Sequence, residues 1–220
     1  MMYNSTRNSQ VEVPSAQAIA QGISSEGGLF VPRELPSLSQ SDLAGLVKKP
    51  YVERAAFILS KFLTDFTKEE LEECCTAAYT GGKFRSPAVA PLHKLEDGVH
   101  VLELWHGPTC AFKDMALQCL PHFFSASASQ LREQGKLENT FLILVATSGD
   151  TGKAALEGFR DKEGVQIAVM YPEGGVSDIQ YKQMATQAGS NVMVWAVKGN
   201  FDDCQTGAKN VFGDEAFAEK

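Results

Sequence analysis

Three largely apolar segments recur at a fixed spacing in the second half of the chain, and they constrain the fold more than any other feature. They run from Phe141 to Ala146, from Gln166 to Tyr171 and from Asn191 to Val197, about 25 residues apart, and a loop and a helical stretch follow each one. Strands that are apolar on both faces and joined by helical crossovers form parallel sheets. The sequence therefore predicts an α/β fold, a parallel sheet with helices on both faces, whose ligands bind beyond the carboxyl ends of the strands.

A smaller mixed segment of helices and strands precedes this sheet. Thr67 and Glu70 form a capping box that opens a helix reaching about Tyr79, and an apolar face predicts another helix from Tyr51 to Phe66. We therefore divide the chain into an N-terminal segment, 1–85, and a second region that contains the sheet, 86–220. The βαβαβα run, from about 113 to 220, forms a small domain within that region.

Composition excludes several classes of protein. The net charge is −7 and shows no basic stripe, which argues against nucleic-acid partners. The longest purely apolar run is too short to span a bilayer and the amino terminus lacks a signal-peptide core, so we expect no membrane partner and a cytoplasmic location. The 5 cysteines lack a C-x-x-C pair and the 4 histidines lack ligand spacing, so no metal site is predicted.

Lys113 is the candidate reactive residue. A lysine that bonds to a carbonyl cofactor must lose its proton near neutral pH, which positive potential favours. A helix predicted from Phe112 to Ser127 would put Lys113 in its first turn, beside unpaired N–H groups. Together with a later amide-rich turn, this lysine suggests a pyridoxal phosphate site. The alternative is that Lys113 and Asp114 form a solvated pair at a helix start.

The turn at 147–152 is the candidate anion site. Its two glycines let the backbone approach a ligand, while Ser148 and Thr151 offer hydroxyls and the following helix offers N–H donors. Because Asp150 places a carboxylate inside the turn, an amino-acid carboxylate fits better than a phosphate. The alternative is that Asp150 or Thr151 merely caps the helix.

Other polar residues have simpler interpretations. His106 precedes a Gly-Pro turn, where a hydrogen bond to the backbone is favoured over a role as general acid. The residues from Lys198 to Phe201 are interpreted as a plain βα turn before a packed helix. Lys182 is interpreted as a solvated helix lysine.

Several motifs, in the same order along the chain, resemble those of threonine synthases, which belong to the fold-type II pyridoxal phosphate enzymes together with the tryptophan synthase β subunit. The motifs are Tyr3 with Ser5-Thr6-Arg7, Glu26 to Pro32, His106 to Asp114, Ala146 to Gly152, and Phe201 to Gln205. The resemblance implies that Lys113 is the Schiff-base lysine. It also implies that Ser148, Gly149, Asp150, Thr151 and Gly152 hold the substrate α-carboxylate, with Ser148 and Asp150 beside the cofactor.

The implied activity is conversion of O-phospho-L-homoserine and water to L-threonine and phosphate, with pyridoxal phosphate as electron sink. The alternatives are another fold-type II lyase or synthase and a non-catalytic ligand-binding relative. Members of the family are considerably longer, so we expect an amino-terminal portion whose cofactor-phosphate loop lies downstream and which alone forms little or no threonine. The sequence contains no feature that indicates a particular oligomeric state.

Overall fold

The computed structural model describes residues 1–214, so the last six residues of the predicted 86–220 region lie outside the described residues. The chain packs into two compact units. The first comprises Met1–Pro91 and His122–Glu138, and the second comprises Leu92–Pro121 and the described residues from Asn139 to 214. The predicted domain boundary after residue 85 stays a prediction. The predicted domains are continuous stretches of sequence, whereas these units are groups of residues that pack together in space.

The first unit begins with a small antiparallel sheet. Its strands are β1 (Met2–Ser5), β2 (Glu12–Pro14) and β3 (Phe30–Pro32), in the order β2-β1-β3, and helix α1 (Ser15–Gln21) follows β2. Tyr3 pairs with Val13 on one side and with Pro32 on the other.

Three helices continue the first unit: α2 (Gln40–Leu46), α3 (Tyr51–Ser60) and α4 (Lys68–Tyr79). The predicted capping box of α4 is confirmed, since Thr67 and Glu70 exchange hydrogen bonds between side chain and backbone. The predicted extension of α3 to Phe66 is wrong. Asp65 instead accepts hydrogen bonds from the Ser15 hydroxyl and from the Ala16 N–H (2.8 Å) at the start of α1, which holds this segment in turns.

The single helix predicted from Phe112 to Ser127 is also wrong. The hairpin strands β4 (Leu92–Glu96) and β5 (Val99–Leu102) are followed by the one-turn helix α5 (Asp114–Leu117) and by α6 (Leu120–Glu133). Pro121 explains the break, because proline has no N–H to donate and is tolerated only in the first turn of a helix. From His122 onward, α6 belongs to the first unit, where Phe123 packs edge-on against Phe66 with ring centroids 5.6 Å apart.

The parallel sheet predicted from the three recurring segments is confirmed. Its elements alternate as β6 (Phe141–Ala146), α7 (Asp150–Phe159), β7 (Val165–Pro172), α8 (Asp178–Ala185), β8 (Val192–Val197) and α9 (Phe201–Phe212). The strand order is β6-β7-β8, and both strand pairs are parallel.

Helices cover both faces of this sheet. Right-handed crossovers in the order β6-β7-β8 put α7 and α8 on one face, where they pack against each other. Helix α9 leaves β8, turns back and packs on β6 and β7. The central strand β7 is accordingly the most buried, and Ile167, Ala168 and Val169 have no exposed surface. None of the helices within residues 1–214 is long and apolar enough to cross a membrane.

Candidate functional site

The carboxyl end of β6 runs directly into α7 through a tight turn. Thr147 ties this turn together, because its buried hydroxyl oxygen accepts the N–H groups of Gly149 (3.0 Å) and Gly152 (2.9 Å). Gly149 precedes the helix with φ +130°, and a side chain there would collide with Gln180. The residue types at these positions therefore determine the course of the backbone.

The same turn leaves hydrogen-bond donors available. An α-helix begins with N–H groups that have no partner inside the helix. Within the described part of the chain, the N–H groups of Asp150 and Thr151 have no acceptor, whereas that of Gly152 is bound by Thr147. The Ser148 side chain beside them is exposed. Two aligned N–H donors and a hydroxyl form a site suited to an anion, as the sequence predicts.

Asp150 brings a negative charge into this turn, and neighbouring side chains stabilise its carboxylate. Oδ1 accepts a hydrogen bond from Gln180 Nε2 at 3.0 Å and lies 3.1 Å from Lys153 Nζ. The Gln180 hydrogen bond, followed by the hydrogen bond and charge of Lys153 and then by the charge of Lys113, holds the pKa of Asp150 below its ordinary value. The interpretation of Asp150 or Thr151 as a simple helix cap is not supported, since Gly149 is the N-cap residue and it is Thr147 whose side chain accepts an N–H of the first turn of α7.

Lys113 lies just before α5 and not inside a long helix. The predicted placement in the first turn is therefore wrong, and the single turn of α5 provides no appreciable helix dipole. The side chain is half-buried, with Nζ 4.2 Å from the centre of the Phe112 ring. The charge of Lys113 helps to lower the pKa of Asp150, so the predicted reactive lysine lies within electrostatic range of the predicted anion turn.

Asp114, the neighbour of Lys113, is fully buried and not solvated as the alternative interpretation requires. Its two oxygens accept the N–H and the hydroxyl of Thr109, both at 2.9 Å, and Oδ1 also accepts Gln118 Nε2 at 3.3 Å. A side chain at Gly107 would collide with this carboxylate. Asp114 thus fixes the loop that ends at Lys113.

Lys153 is a site residue that sequence reasoning missed. It lies in the first turns of α7, is only 7% exposed, and pairs with Asp150. Its charge also opposes the rise in the pKa of Asp114 that burial causes. A lysine three residues after Asp150 is the one available signal, since that spacing places the two side chains on the same helical face.

The remaining predicted residues have structural roles. His106 Nε2 pairs with the Glu103 carboxylate at 2.7 Å, so the expected hydrogen bond to the backbone is wrong. Lys182 is exposed on α8, as predicted. Asn200 caps α9 through a capping box with Asp203, which confirms a plain βα turn after β8. Among residues 1–214, no group of three His, Cys, Asp or Glu side chains is arranged to hold a metal ion.

Comparison with known proteins gives consistent results. Residues 2–79 match the family described as threonine synthase N terminus. The chain is 39% identical to threonine synthase of Schizosaccharomyces pombe and 40% identical to that of Pseudomonas aeruginosa, covering 99% of this chain and 43% and 45% of those proteins.

Among solved structures, pyridoxal-phosphate-bound threonine synthase from Brucella melitensis superimposes with a TM-score of 0.88 at 37% identity, covering 100% of this chain and 46% of that one. This likeness confirms the predicted fold-type II fold. The chain spans less than half the length of these relatives.

Proposed function

Since the chain corresponds over its whole length to an amino-terminal portion of the threonine synthases, we propose that the protein carrying it converts O-phospho-L-homoserine and water to L-threonine and phosphate. Pyridoxal phosphate would be the cofactor, as in the Brucella protein. The observation that carries the proposal is a half-buried lysine, Lys113, whose charge acts on Asp150 in a turn with two N–H donors that lack acceptors.

The residues present fit two parts of this chemistry. An aldehyde cofactor needs a primary amine, which Lys113 supplies from a half-buried position. An amino-acid substrate needs donors for its carboxylate, which the N–H groups of Asp150 and Thr151 and the Ser148 hydroxyl supply. Gly149 and Gly152 let the turn pack closely against Gln180 on one side and against Thr147, Val169 and Met184 on the other, because a Cβ at either position would collide there. Bound there, pyridoxal phosphate would supply an electron sink for negative charge at the substrate α-carbon.

Each site residue then has a distinct task. Lys113 Nζ would hold the cofactor and afterwards move protons at the substrate Cα and Cβ. Phosphate would leave Cγ, which takes up a proton to become the methyl group, and water would add its hydroxyl at Cβ. The turn at 148–152 would hold the α-carboxylate and so fix which proton faces Lys113. Asp114 would keep the loop before Lys113 in place through Thr109.

A cytoplasmic location belongs to the same proposal. All five cysteines are thiols and not disulfides, which fits a reducing compartment. Cell fractionation with an antibody to the chain would test it, and recovery outside the cytosol would contradict it.

Lys113→Ala tests the central assignment. In the protein expressed from its whole gene and mixed with pyridoxal phosphate, we expect borohydride to trap a pyridoxyl adduct on the peptide containing Lys113. The alanine variant should lose both this adduct and the absorbance of the bound cofactor, whereas Lys182→Ala, an exposed lysine on α8, should keep both.

Release of phosphate from O-phospho-L-homoserine, with threonine as co-product, tests the substrate. Phosphate release distinguishes the proposed reaction from that of other fold-type II lyases. Trapping on a different lysine, or cofactor binding without turnover of phosphohomoserine, would overturn the proposal in its catalytic or its substrate part respectively.

A further inference from the structure

The proposed carboxylate site contains a carboxylate of its own. Asp150 opens the helix whose N–H groups would bind the substrate, so its negative charge lies next to the negative charge of the guest. Two like charges close to each other at a protein surface repel, which weakens the binding of the guest. The turn therefore needs a compensating positive charge before it can accept a carboxylate.

Lys153 lies where that compensation is needed. Its Nζ is 3.1 Å from Asp150 Oδ1, and its side chain is 9% exposed while that of Asp150 is 45% exposed. A buried ammonium interacts more strongly with its partner than a solvated one, because water screens it less. Gln180 binds the same oxygen but is neutral, so it orients Asp150 without cancelling its charge.

The surroundings give Lys153 little freedom to move. Its Nζ pairs with Asp150 and its charge also acts on the buried Asp114, while Gly152 before it is packed against Thr147, Val169 and Met184. The other cation acting on Asp150 is Lys113, which the proposed function reserves for the cofactor. A lysine that is to bond to a carbonyl cofactor must first lose its proton, so Lys113 cannot also serve as a permanent positive charge for Asp150.

We propose that Lys153 is a positioning residue that neutralises and orients Asp150, and that this compensation allows the turn at 148–152 to bind an amino-acid carboxylate. The inference deepens the proposed function and rests on it for the identity of the ligand. It has a specific consequence: once Asp150 has lost its charge, Lys153 should no longer be needed for carboxylate binding.

The test uses the cofactor-free protein and L-threonine as the probe, with binding followed through the backbone amide NMR signals of Asp150 and Thr151. L-threoninol, which lacks the carboxylate, serves as the control ligand. Lys153→Met should weaken L-threonine binding about tenfold, the factor to which about 1.4 kcal/mol corresponds. The double variant Asp150→Asn/Lys153→Met should recover to within about threefold of the original affinity, because coupled neighbours are not additive.

Two further variants keep the test decisive. Lys153→Arg retains the charge and should bind L-threonine like the unaltered protein. Lys182→Met removes a lysine from the exposed surface of α8 and should change nothing. If Lys153→Met does not fold, Lys153→Gln and the double variant take its place, with circular dichroism to establish folding.

The outcomes separate this inference from the proposed function. Equal L-threonine affinity in the unaltered protein and the charge-removing variants overturns it, as does failure of Asp150→Asn to restore binding. Absence of L-threonine binding in the unaltered protein overturns it too. The borohydride adduct on Lys113 is a separate measurement, so its loss would refute the proposed catalytic role while leaving the role of Lys153 to be judged on these affinities.

Discussion

At the scale of single residues, Asp114 shows two opposing effects. Burial raises its pKa, while hydrogen bonds from Thr109 and Gln118 and the charge of Lys153 act to lower it. Burial has the larger effect on the pKa, so keeping Asp114 ionised inside the protein costs folding free energy. Ion pairs and hydrogen bonds in a buried setting commonly offset this cost only in part.

Asp114→Asn should reveal this cost through its pH dependence. A carboxyl group whose folded-state pKa is raised contributes stability below its unfolded pKa of about 3.9 and loses it as the pH rises through the folded value. The free energy of unfolding of the unaltered protein should therefore fall relative to that of Asp114→Asn between acid and neutral pH, by about 1.4 kcal/mol for each unit of pKa shift. Urea unfolding at a series of pH values measures it, and parallel curves would contradict it.

The pKa of Glu26 is shifted in the opposite direction to that of Asp114. Hydrogen bonds, led by those from Ser24 and Ser5, lower its pKa to about 2. Its contribution should be present above its ordinary pKa of 4.5 and disappear as the pH falls towards 2. Glu26→Gln should thus flatten the acid side of the stability curve in the first unit, and an unchanged acid limb would count against the hydrogen-bond assignment.

At the scale of elements, the start of α7 depends on a residue without a side chain. Gly149 adopts φ +130°, a conformation that residues with a Cβ rarely adopt, and its Cα faces the amide of Gln180. The turn therefore combines backbone strain with a close approach by α8. Thr147 holds the turn from inside through its two hydrogen bonds.

Gly149→Ala should destabilise the protein by about 1–3 kcal/mol, because the alanine is strained at this φ and displaces Gln180. Gly207→Ala is the control: it lies inside α9 with no atom within 4 Å of an added Cβ, and it should stabilise the helix by up to about 1 kcal/mol. Denaturant unfolding compares the two. Equal effects would show that the turn tolerates a side chain.

Regular elements were predictable where a local signal sets them. The strand at 141–146 has the predicted bounds because its apolar run is uninterrupted, and α4 has them because the Thr67 capping box marks its start. The break between α5 and α6 was missed because the apolar pattern continues across it, while Pro121 and the buried contacts of Asp114 decide the backbone.

The site was predictable in part for a similar reason. Ser148, Gly149 and Thr151 follow a strand, so their position at the sheet edge follows from the order of elements. Burial of Lys153 does not follow, because a lysine in such a segment is usually solvated. Its burial depends on Asp150 and on the packing of α7 against β7, which is tertiary information.

At the scale of the whole molecule, the first unit is assembled from two separate stretches of chain. Residues 122–138 return to pack with residues 1–91 after 92–121 have contributed to the second unit. Phe66 and Phe123 join the two stretches edge-on, and Gln130 Nε2 donates to the Asp65 carbonyl and to the Glu70 carboxylate, at 3.4 and 3.3 Å.

Phe66→Ala should therefore loosen both stretches together. Loss of a buried phenyl ring costs about 3–5 kcal/mol, and amide hydrogen exchange should accelerate in 122–138 as well as in α3 and α4. Leu35→Ala, at a position that is 82% exposed, should change stability by less than about 0.5 kcal/mol. Faster exchange confined to residues 1–91 would show that the stretches are not cooperative.

The discontinuous first unit also imposes an order on biosynthesis. When the ribosome has added residue 91, the emerging polypeptide still lacks Phe123, the aromatic partner of Phe66. About forty more residues must be added before that partner and the rest of its helix, which ends at Glu133, have been translated. At 5–20 residues per second this delay lasts about 2–8 seconds. During that interval the nascent core is open to chaperones.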